Sequence, residues 1–471
     1  MFDVLKWVCA GIWLGAAFGT AVHALINKRD PRAALGWIVV SLTIPLAGPL
    51  LYFFFGVNRI RTRAMTLPGL GVLPDRQSSA AIVSETDLPS EFSELAGISG
   101  AVSTFDLTAG NSVEMLHSGE QAYPAMLREI EAAESHVFLS TYIFETNRTG
   151  REFIEALARA SDRGVETRVI VDGVGRLYSH PRADGLLAKR GVKVARFLPP
   201  RAVPPSVHMN LRNHRKILVT DGRVAFTGGM NIGDRHLADR TENPDRVVDA
   251  HFRIVGPVVD QLQQVFLDNW SFITGGPVDG FPSDDREAGP AKCRTIIEGP
   301  DEDLDKLLNV LVGAVSAARR QVAIMTPYFI PPRELVGALK AAALRGVEVT
   351  VVLPDKNNLP FVDWASRNML WEILERGVRV FLQPPPFVHT KLFVVDEHYV
   401  QVGAANMDPR SLRLNFELVV EIYDRGFAEL ITQHFETALE RSREITLAEV
   451  DGRALPVRIR DGLAWLLSPY L

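Results

Sequence analysis

The sequence predicts an α/β fold: two duplicated domains, each a mixed sheet flanked by helices, related by pseudo-two-fold symmetry and preceded by a two-helix transmembrane hairpin. Three observations carry this expectation. Two long apolar runs near the N-terminus hold no charged residue. From Ser112 onward the chain says nearly the same thing twice. Within each copy, amphipathic helices alternate with short apolar strands, the pattern of a sheet covered by helices.

The first run, "WVCAGIWLGAAFGTAVHALI", covers residues 7–26, and the second, "AALGWIVVSLTIPLAGPLLYFFFGV", covers 33–57. Each is long enough to cross a hydrocarbon core of about 30 Å. The connector "NKRDPR" is short, so the two are expected to form a tight antiparallel hairpin within residues 1–63. Pro45 and Pro49 should kink the second span, which a membrane helix tolerates. Trp37 and Tyr52 read as interfacial aromatics. A signal peptide is the competing reading, but Lys6 alone makes a poor n-region and "VHA" a poor cleavage site. Lys28, Arg29 and Arg32 in the connector balance Lys6, Arg59, Arg61 and Arg63 outside it, so charge sets no orientation.

Residues 64–111 are rich in Gly, Pro, Ser and acids and read as a tether with an irregular lead-in. The remainder divides into domains at 112–290 and 291–471. "AMLREIEAAESHVFLSTYIF" at Ala125 is echoed by "NVLVGAVSAARRQVAIMTPYF" at Asn309, and "RGVETRVIVD" at Arg163 by "RGVEVTVVLP" at Arg345. The chain of 471 residues is 47% hydrophobic and 23% charged, enough for full cores. A net charge of −5 argues against a nucleic-acid-coating protein. Two cysteines, Cys9 and Cys293, make neither a disulfide framework nor a cysteine metal site, and weakly favour a reducing compartment for the soluble part.

The chemistry concentrates in a repeated motif. His214, Lys216, Asp221, Gly228 and Asn231 match His389, Lys391, Asp396, Gly403 and Asn406, each pair 175 residues apart. "HRKILVTD" and "HTKLFVVD" read as strands, where residues i and i+2 share a face. His214 and Lys216 should therefore project together, as should His389 and Lys391. The glycines permit a close backbone approach. Asn231 and Asn406 lie just beyond the returning strands, where their amides could bind a substrate phosphate.

Two such copies supply two imidazoles, two ammoniums and two amides. A phosphodiester reaction needs that set: charge stabilisation of non-bridging oxygens, a nucleophile and a proton donor for the leaving alkoxide. No metal or other cofactor is called for, because the lysines supply the positive charge. Asp221 and Asp396 complete the catalytic signature, yet their strand parity opposes that of the lysines, so they read as turn-holders. A carboxylate further along each copy is the better support for its imidazole: Asp249 in the first and Glu417, 28 residues after His389, in the second. His236, His251 and His398 have no counterpart and read as core or surface histidines. Arg212, Arg215, Arg235, Arg410 and Arg413 crowd the motifs, either to bind lipid phosphate or as solvated charge.

At these residues the sequence resembles the phospholipase D superfamily, whose signature is H-x-K-x4-D followed by G-x2-N. It resembles bacterial-type cardiolipin synthases more closely, in "RNHRKILVTDGRVAFTGGMNIGD", "HFRIVGPVVDQLQQVFLDNW", "TPYFIPPRELVGALKAAALRGVEV", "NMDPRSLRLNFELVVEIYD", the N-terminal runs and the terminal "WLLSPYL". The resemblance spans nearly the whole chain and is weakest over 64–111. It implies transfer of a phosphatidyl group between two phosphatidylglycerol molecules through a phosphohistidine, giving cardiolipin and glycerol. It favours His214 as nucleophile and His389 as acid and base, although the near-symmetry of the copies leaves that order reversible. It also implies membrane phospholipids as partners and a bacterial cell membrane location with the catalytic domains cytoplasmic. Alternatives are a phospholipase D-type hydrolase, a phosphatidyltransferase with another donor or acceptor, a nuclease, or an idle membrane scaffold. The membrane runs and acidic charge argue against the nuclease, and two intact motifs argue against the scaffold.

Overall fold

The computed structural model of the protein describes residues 2–28, 31–44, 46–56, 82–84, 87–200, 211–276, 280–300 and 304–468. It divides into two units, Met1–Thr66 and Leu67–Leu471.

In the first unit, helix Phe2–Asn27 contains a stretch, Lys6–Asn27, long and apolar enough to cross a membrane. The second apolar run is not one continuous span. Helix Pro31–Thr43 ends, Leu46 adopts a φ of 60°, and a short helix, Ala47–Leu51, leads into a π-helical turn at Tyr52–Gly56. The expected kink is therefore a division of the run. The expected position of Pro45 lies outside the described residues. Tyr52 is buried and bonded to His23 Nδ1 at 2.7 Å, with the Trp37 ring packed edge-on against it. It thus makes an internal contact within this unit.

The second unit is built on strands β1 (Thr108–His117), β2 (His136–Thr141), β3 (Glu166–Asp172), β4 (Lys193–Phe197), β5 (Ile217–Thr220), β6 (Val224–Gly228), β7 (Val247–Val248) and β8 (Ala250–Val255). The repeat supplies β9 (Ala291–Glu298), β10 (Gln321–Met325), β11 (Glu348–Pro354), β12 (Arg379–Gln383), β13 (Phe387–Val388), β14 (Leu392–Val395), β15 (Tyr399–Gly403) and β16 (Glu417–Tyr423), followed by β17 (Arg443–Ile445). Fifteen of these form one sheet, ordered β17-β12-β11-β10-β14-β15-β16-β9-β1-β8-β6-β5-β2-β3-β4. Read outward from the β9–β1 junction, the two halves present the same strands in the same order. The duplication in the sequence is thus a pseudo-two-fold in the sheet. The pairs β2–β3, β3–β4, β10–β11 and β11–β12 are parallel and the other sheet pairs antiparallel, as a mixed sheet requires.

The strands are β-branched and buried on both faces because helices cover them. In the first half, helix Arg148–Asp162 buries Phe153, Ile154 and Leu157 against Val169 and Val171. Burying a side chain of this size is worth about 1.5–3 kcal/mol. In the second half, the core continues into helix Ser90–Val102, whose Phe92, Leu95, Ala96 and Ser99 are buried. That stretch was expected to be irregular. Its small residues hid a periodic i, i+3, i+4, i+7 face, which packs on helix Lys306–Ala317. Ser99 Oγ donates to Glu421 at 2.9 Å, and Glu421 pairs with Arg294 at 2.6 Å in the same buried network.

Candidate active site

The motif residues sit where the halves meet. His214 and Lys216 precede β5, and His389 and Lys391 lie between β13 and β14, so both expected strands begin three residues later than anticipated. Backbone bonds to the opposite half hold these segments extended. His214 N donates to Phe416 O at 3.0 Å, and Phe416 N to Arg212 O at 2.9 Å. In the other copy β13 pairs with β7 in parallel, and His389 N donates to Val248 O at 2.7 Å. Each histidine is thus laid beside the residue that immediately precedes a carboxylate of the other half.

This corrects the expected pairing within each copy. His214 Nδ1 contacts Glu417 Oε2 at 2.9 Å, and His389 Nδ1 contacts Asp249 Oδ2 at 2.7 Å. Both carboxylates are fully or nearly fully buried. Asn415 holds the second oxygen of Glu417 at 3.1 Å, and Ala250 N holds the second oxygen of Asp249 at 2.8 Å. An Nδ1–H donated to a carboxylate leaves Nε2 as the second, proton-accepting ring nitrogen, which fixes the tautomer; at His389 the Lys391 ammonium lies 3.1 Å from Nε2.

The lysines lie alongside. Lys216 Nζ donates to His214 O at 2.8 Å, and Lys391 Nζ donates to His389 O, lying 2.9 Å from His389 Nδ1. Burial, only partly opposed by Glu417, lowers Lys216 to about 7. Burial, opposed by Asp249 and Glu417, lowers Lys391 to about 8. Burial and then the two lysines hold His389 well below the ordinary imidazole range. Burial also lowers His214 against the pull of Glu417. Burial opposes ionisation of Glu417, but His214, Lys216 and Asn415 together keep it below the usual carboxylate range. Burial in this cluster therefore disfavours positive charge on its imidazoles and lysines, and an anion placed among them would favour that charge again.

Asp221 and Asp396 stand apart from this cluster. Asp221 accepts from the backbone N–H groups of Glu134, Ser135 and His136 at 2.8–3.0 Å. Asp396 accepts from those of Arg319, Arg320 and Gln321 at 2.7–2.8 Å. Both adopt positive φ, 53° and 50°, at matching turns. Each ties the loop entering β2 or β10 to the β5–β6 or β14–β15 turn.

Gly228 and Gly403 have φ of 147° and 155°, and a Cβ there would meet Ala250 O at 2.8 Å or Leu418 O at 2.4 Å. The close approach is therefore to the strands that follow Asp249 and contain Glu417. Asn231 Oδ1 accepts from Ile143 N at 3.1 Å, its carbonyl accepts from the Tyr123 hydroxyl at 2.8 Å, and its N–H donates to His236 Nε2 at 3.3 Å. His236, lowered by burial to about 3, is a neutral acceptor that holds Asn231. Asn406 Nδ2 donates to Ser411 Oγ at 3.1 Å.

Arg212 and Arg215 are buried and are not solvated charge. Arg212 pairs with Asp172 at 3.0 Å. Arg215 reaches Glu417 O at 3.0 Å and Asn269 Oδ1 at 3.1 Å, binding the two halves. Arg235 bonds Glu145 at 2.7 Å, and Arg413 faces Asp305 at 3.6 Å. Two aromatics went unassigned in the sequence. Tyr142 stands edge-on to His214 with centroids 5.5 Å apart, and Tyr328 to His389 at 6.1 Å. Their signal was present in the echo of "STYIF" by "TPYF". Among the described residues no cluster of three His, Cys, Asp or Glu side chains could hold a metal ion.

Comparison with known proteins shows the family of the chain. Residues 126–270 and 311–439 match the family described as cardiolipin synthase, PLD-like domain, and residues 15–56 match the phospholipase D-nuclease N-terminal family. The chain is 30% identical over 462 residues to a cardiolipin synthase of Staphylococcus aureus, covering 95% of this chain and 93% of that one. It is 32% identical over 469 residues to the major cardiolipin synthase ClsA of Bacillus subtilis, covering 94% and 95%. The crystal structure of a Haemophilus influenzae phosphatidylserine synthase shares the fold, with a TM-score of 0.62 at 15% identity over 80% of this chain and 100% of that one.

Proposed function

This chain belongs to the cardiolipin synthase family with phospholipase D-like domains, and from that premise we propose that it joins two phosphatidylglycerol molecules into cardiolipin, releasing glycerol. The observation that carries the reading is the crossed pair of histidine–carboxylate contacts, which makes one two-histidine site from two half-sites.

His214 Nε2 attacks phosphorus, and the bond from phosphorus to the glycerol headgroup oxygen breaks. His389, as imidazolium, gives its Nε2 proton to that oxygen. The bound phosphodiester anion raises His389 towards protonation, offsetting the burial and the lysines that depress it. Asp249 steadies the imidazolium, and Glu417 orients His214 for attack. Lys216 and Lys391 neutralise the non-bridging oxygens, with Asn231 and Asn406 at their side. In the second step neutral His389 takes the proton of a terminal hydroxyl on a second phosphatidylglycerol. The oxygen attacks phosphorus and His214 departs. The assignment of His214 as nucleophile rests on the family resemblance.

The same reading places the enzyme in the bacterial cell membrane, with the N-terminal apolar segment as a multi-pass anchor and the catalytic halves on the cytoplasmic side. Incubation with headgroup- and chain-labelled phosphatidylglycerol tests the reaction. Cardiolipin and free glycerol in equal amounts are expected; phosphatidic acid without cardiolipin would make the chain a hydrolase instead.

A further inference from the structure

Helix Leu455–Leu466 is amphipathic with its large apolar side chains turned outward. Asp461 and Ala464 are buried against the body. On the other side Leu455, Ile459, Leu463 and Leu466 are 67%, 55%, 61% and 65% exposed. Their spacing of four, four and three puts them on one stripe about 80° wide. A core helix would turn that stripe inward. Here the fully buried Asp461 lies on the opposite face, paired with Arg453 at 2.5 Å and with Arg460, its neighbour on the same helix, at 2.7 Å. The Arg460 guanidinium in turn lies 4.5 Å from the ring of Trp364, on helix Pro360–Leu374.

That neighbouring helix presents Phe361 and Trp371 to solvent. The loop before it leads to the site: Asn358 Oδ1 accepts from the Tyr328 hydroxyl at 2.9 Å, and Tyr328 stands against His389. From the other half, exposed Tyr178 packs on Tyr142, the neighbour of His214. Exposed apolar surface thus adjoins both histidine aromatics.

We infer that this surface docks on an anionic lipid bilayer, with Leu455–Leu466 lying in the headgroup layer and its aliphatic stripe dipped into the acyl chains. The chain's own apolar helix, Lys6–Asn27, is long enough to cross a bilayer, so the chain carries a membrane segment of its own. The helix also carries Arg458, a cation complementary to anionic headgroups. Trp371 and Trp465 provide the amphipathic rings that favour the interface. The inference deepens the lipid-substrate reading and rests on it.

The full chain is assayed with phosphatidylglycerol in vesicles and in detergent mixed micelles. Ile459→Glu with Leu463→Glu should lower the vesicle rate about tenfold or more, and leave the micelle rate within about twofold. Equal vesicle rates for variant and parent overturn the inference. Should the double variant fail to fold, an environment-sensitive fluorophore on Leu463→Cys, in a Cys9→Ser background, gives a second readout. Brominated acyl chains in the reconstituted bilayer should quench it. An unquenched label overturns the inference, as does cross-linking of the stripe to a second copy of the chain. Quenching needs no turnover, so a chain that makes no cardiolipin yet buries the label refutes the proposed reaction and not the docking face.

Discussion

His214 Nδ1 and Glu417 Oε2 lie 2.9 Å apart although 203 residues separate them, and His389 Nδ1 meets Asp249 Oδ2 at 2.7 Å across 140 residues. Neither histidine is complete within its own copy. Each takes its orienting carboxylate from the other, so the site exists only when both halves have folded and paired.

The crossing separates the two steps. A phosphatidyl ester of p-nitrophenol needs no proton on its leaving group. With it, Asp249→Asn and His389→Ala should keep a burst of nitrophenol, whereas Glu417→Gln and His214→Ala should slow the burst about 100-fold or more. With phosphatidylglycerol all four should be impaired. If Asp249→Asn slowed the nitrophenol burst as much as Glu417→Gln, the pairing would run within copies.

Asp221 and Asp396 test architecture against chemistry. Asp221→Ala should destabilise the enzyme by about 2–4 kcal/mol, because three backbone donors lose their acceptor. The activity of the folded fraction should stay within about threefold. Thermal unfolding and rate per folded molecule measure both; a full loss of turnover with unchanged melting would place Asp221 in the reacting set.

The duplication, the shared site and the turn role of the two aspartates were legible because each is a local or periodic signal. The crossing was not. It depends on β7 pairing with β13 through two residues each and on the Asn213–Phe416 bridge, too little chain to leave a pattern. The buried roles of Arg212 and Arg215 were hidden for a similar reason, since their partners Asp172 and Asn269 are remote in the chain. Helix Ser90–Val102 was masked by composition: its Gly and Ser residues suggested a linker, although Phe92, Leu95 and Ala96 carry a helical period.

Proton loss from the lysines sets the alkaline limit. Burial lowers Lys216 and Lys391 to about 7 and about 8. From roughly pH 6 to 9 kcat/KM should therefore fall, as the site loses its attraction for a phosphodiester. The bound anion raises both lysines, so the fall in kcat should lie at higher pH. A flat kcat/KM over that range would exclude the lysines as the titrating groups.

The same burial makes Lys216 a cost to stability. Its folded pKa near 7 lies below its unfolded value of about 10.4. Between these values the unfolded chain binds the extra proton, so this group adds stability as pH rises and imposes its full cost below 7. Lys216→Met should raise Tm by roughly 2 °C or more at pH 6, with the gain shrinking towards pH 10, while turnover falls about 1000-fold. A lowered Tm at pH 6 would show that contacts of the ammonium outweigh its desolvation.

The central claim is one shared site in which His214 carries the phosphatidyl group and His389 moves the proton. Brief exposure to phosphorus-labelled phosphatidylglycerol, an alkaline quench and peptide mapping test it directly. Label on His214 is predicted, retained in His389→Ala given the nitrophenyl ester. Label on His389, or on neither histidine, would contradict it.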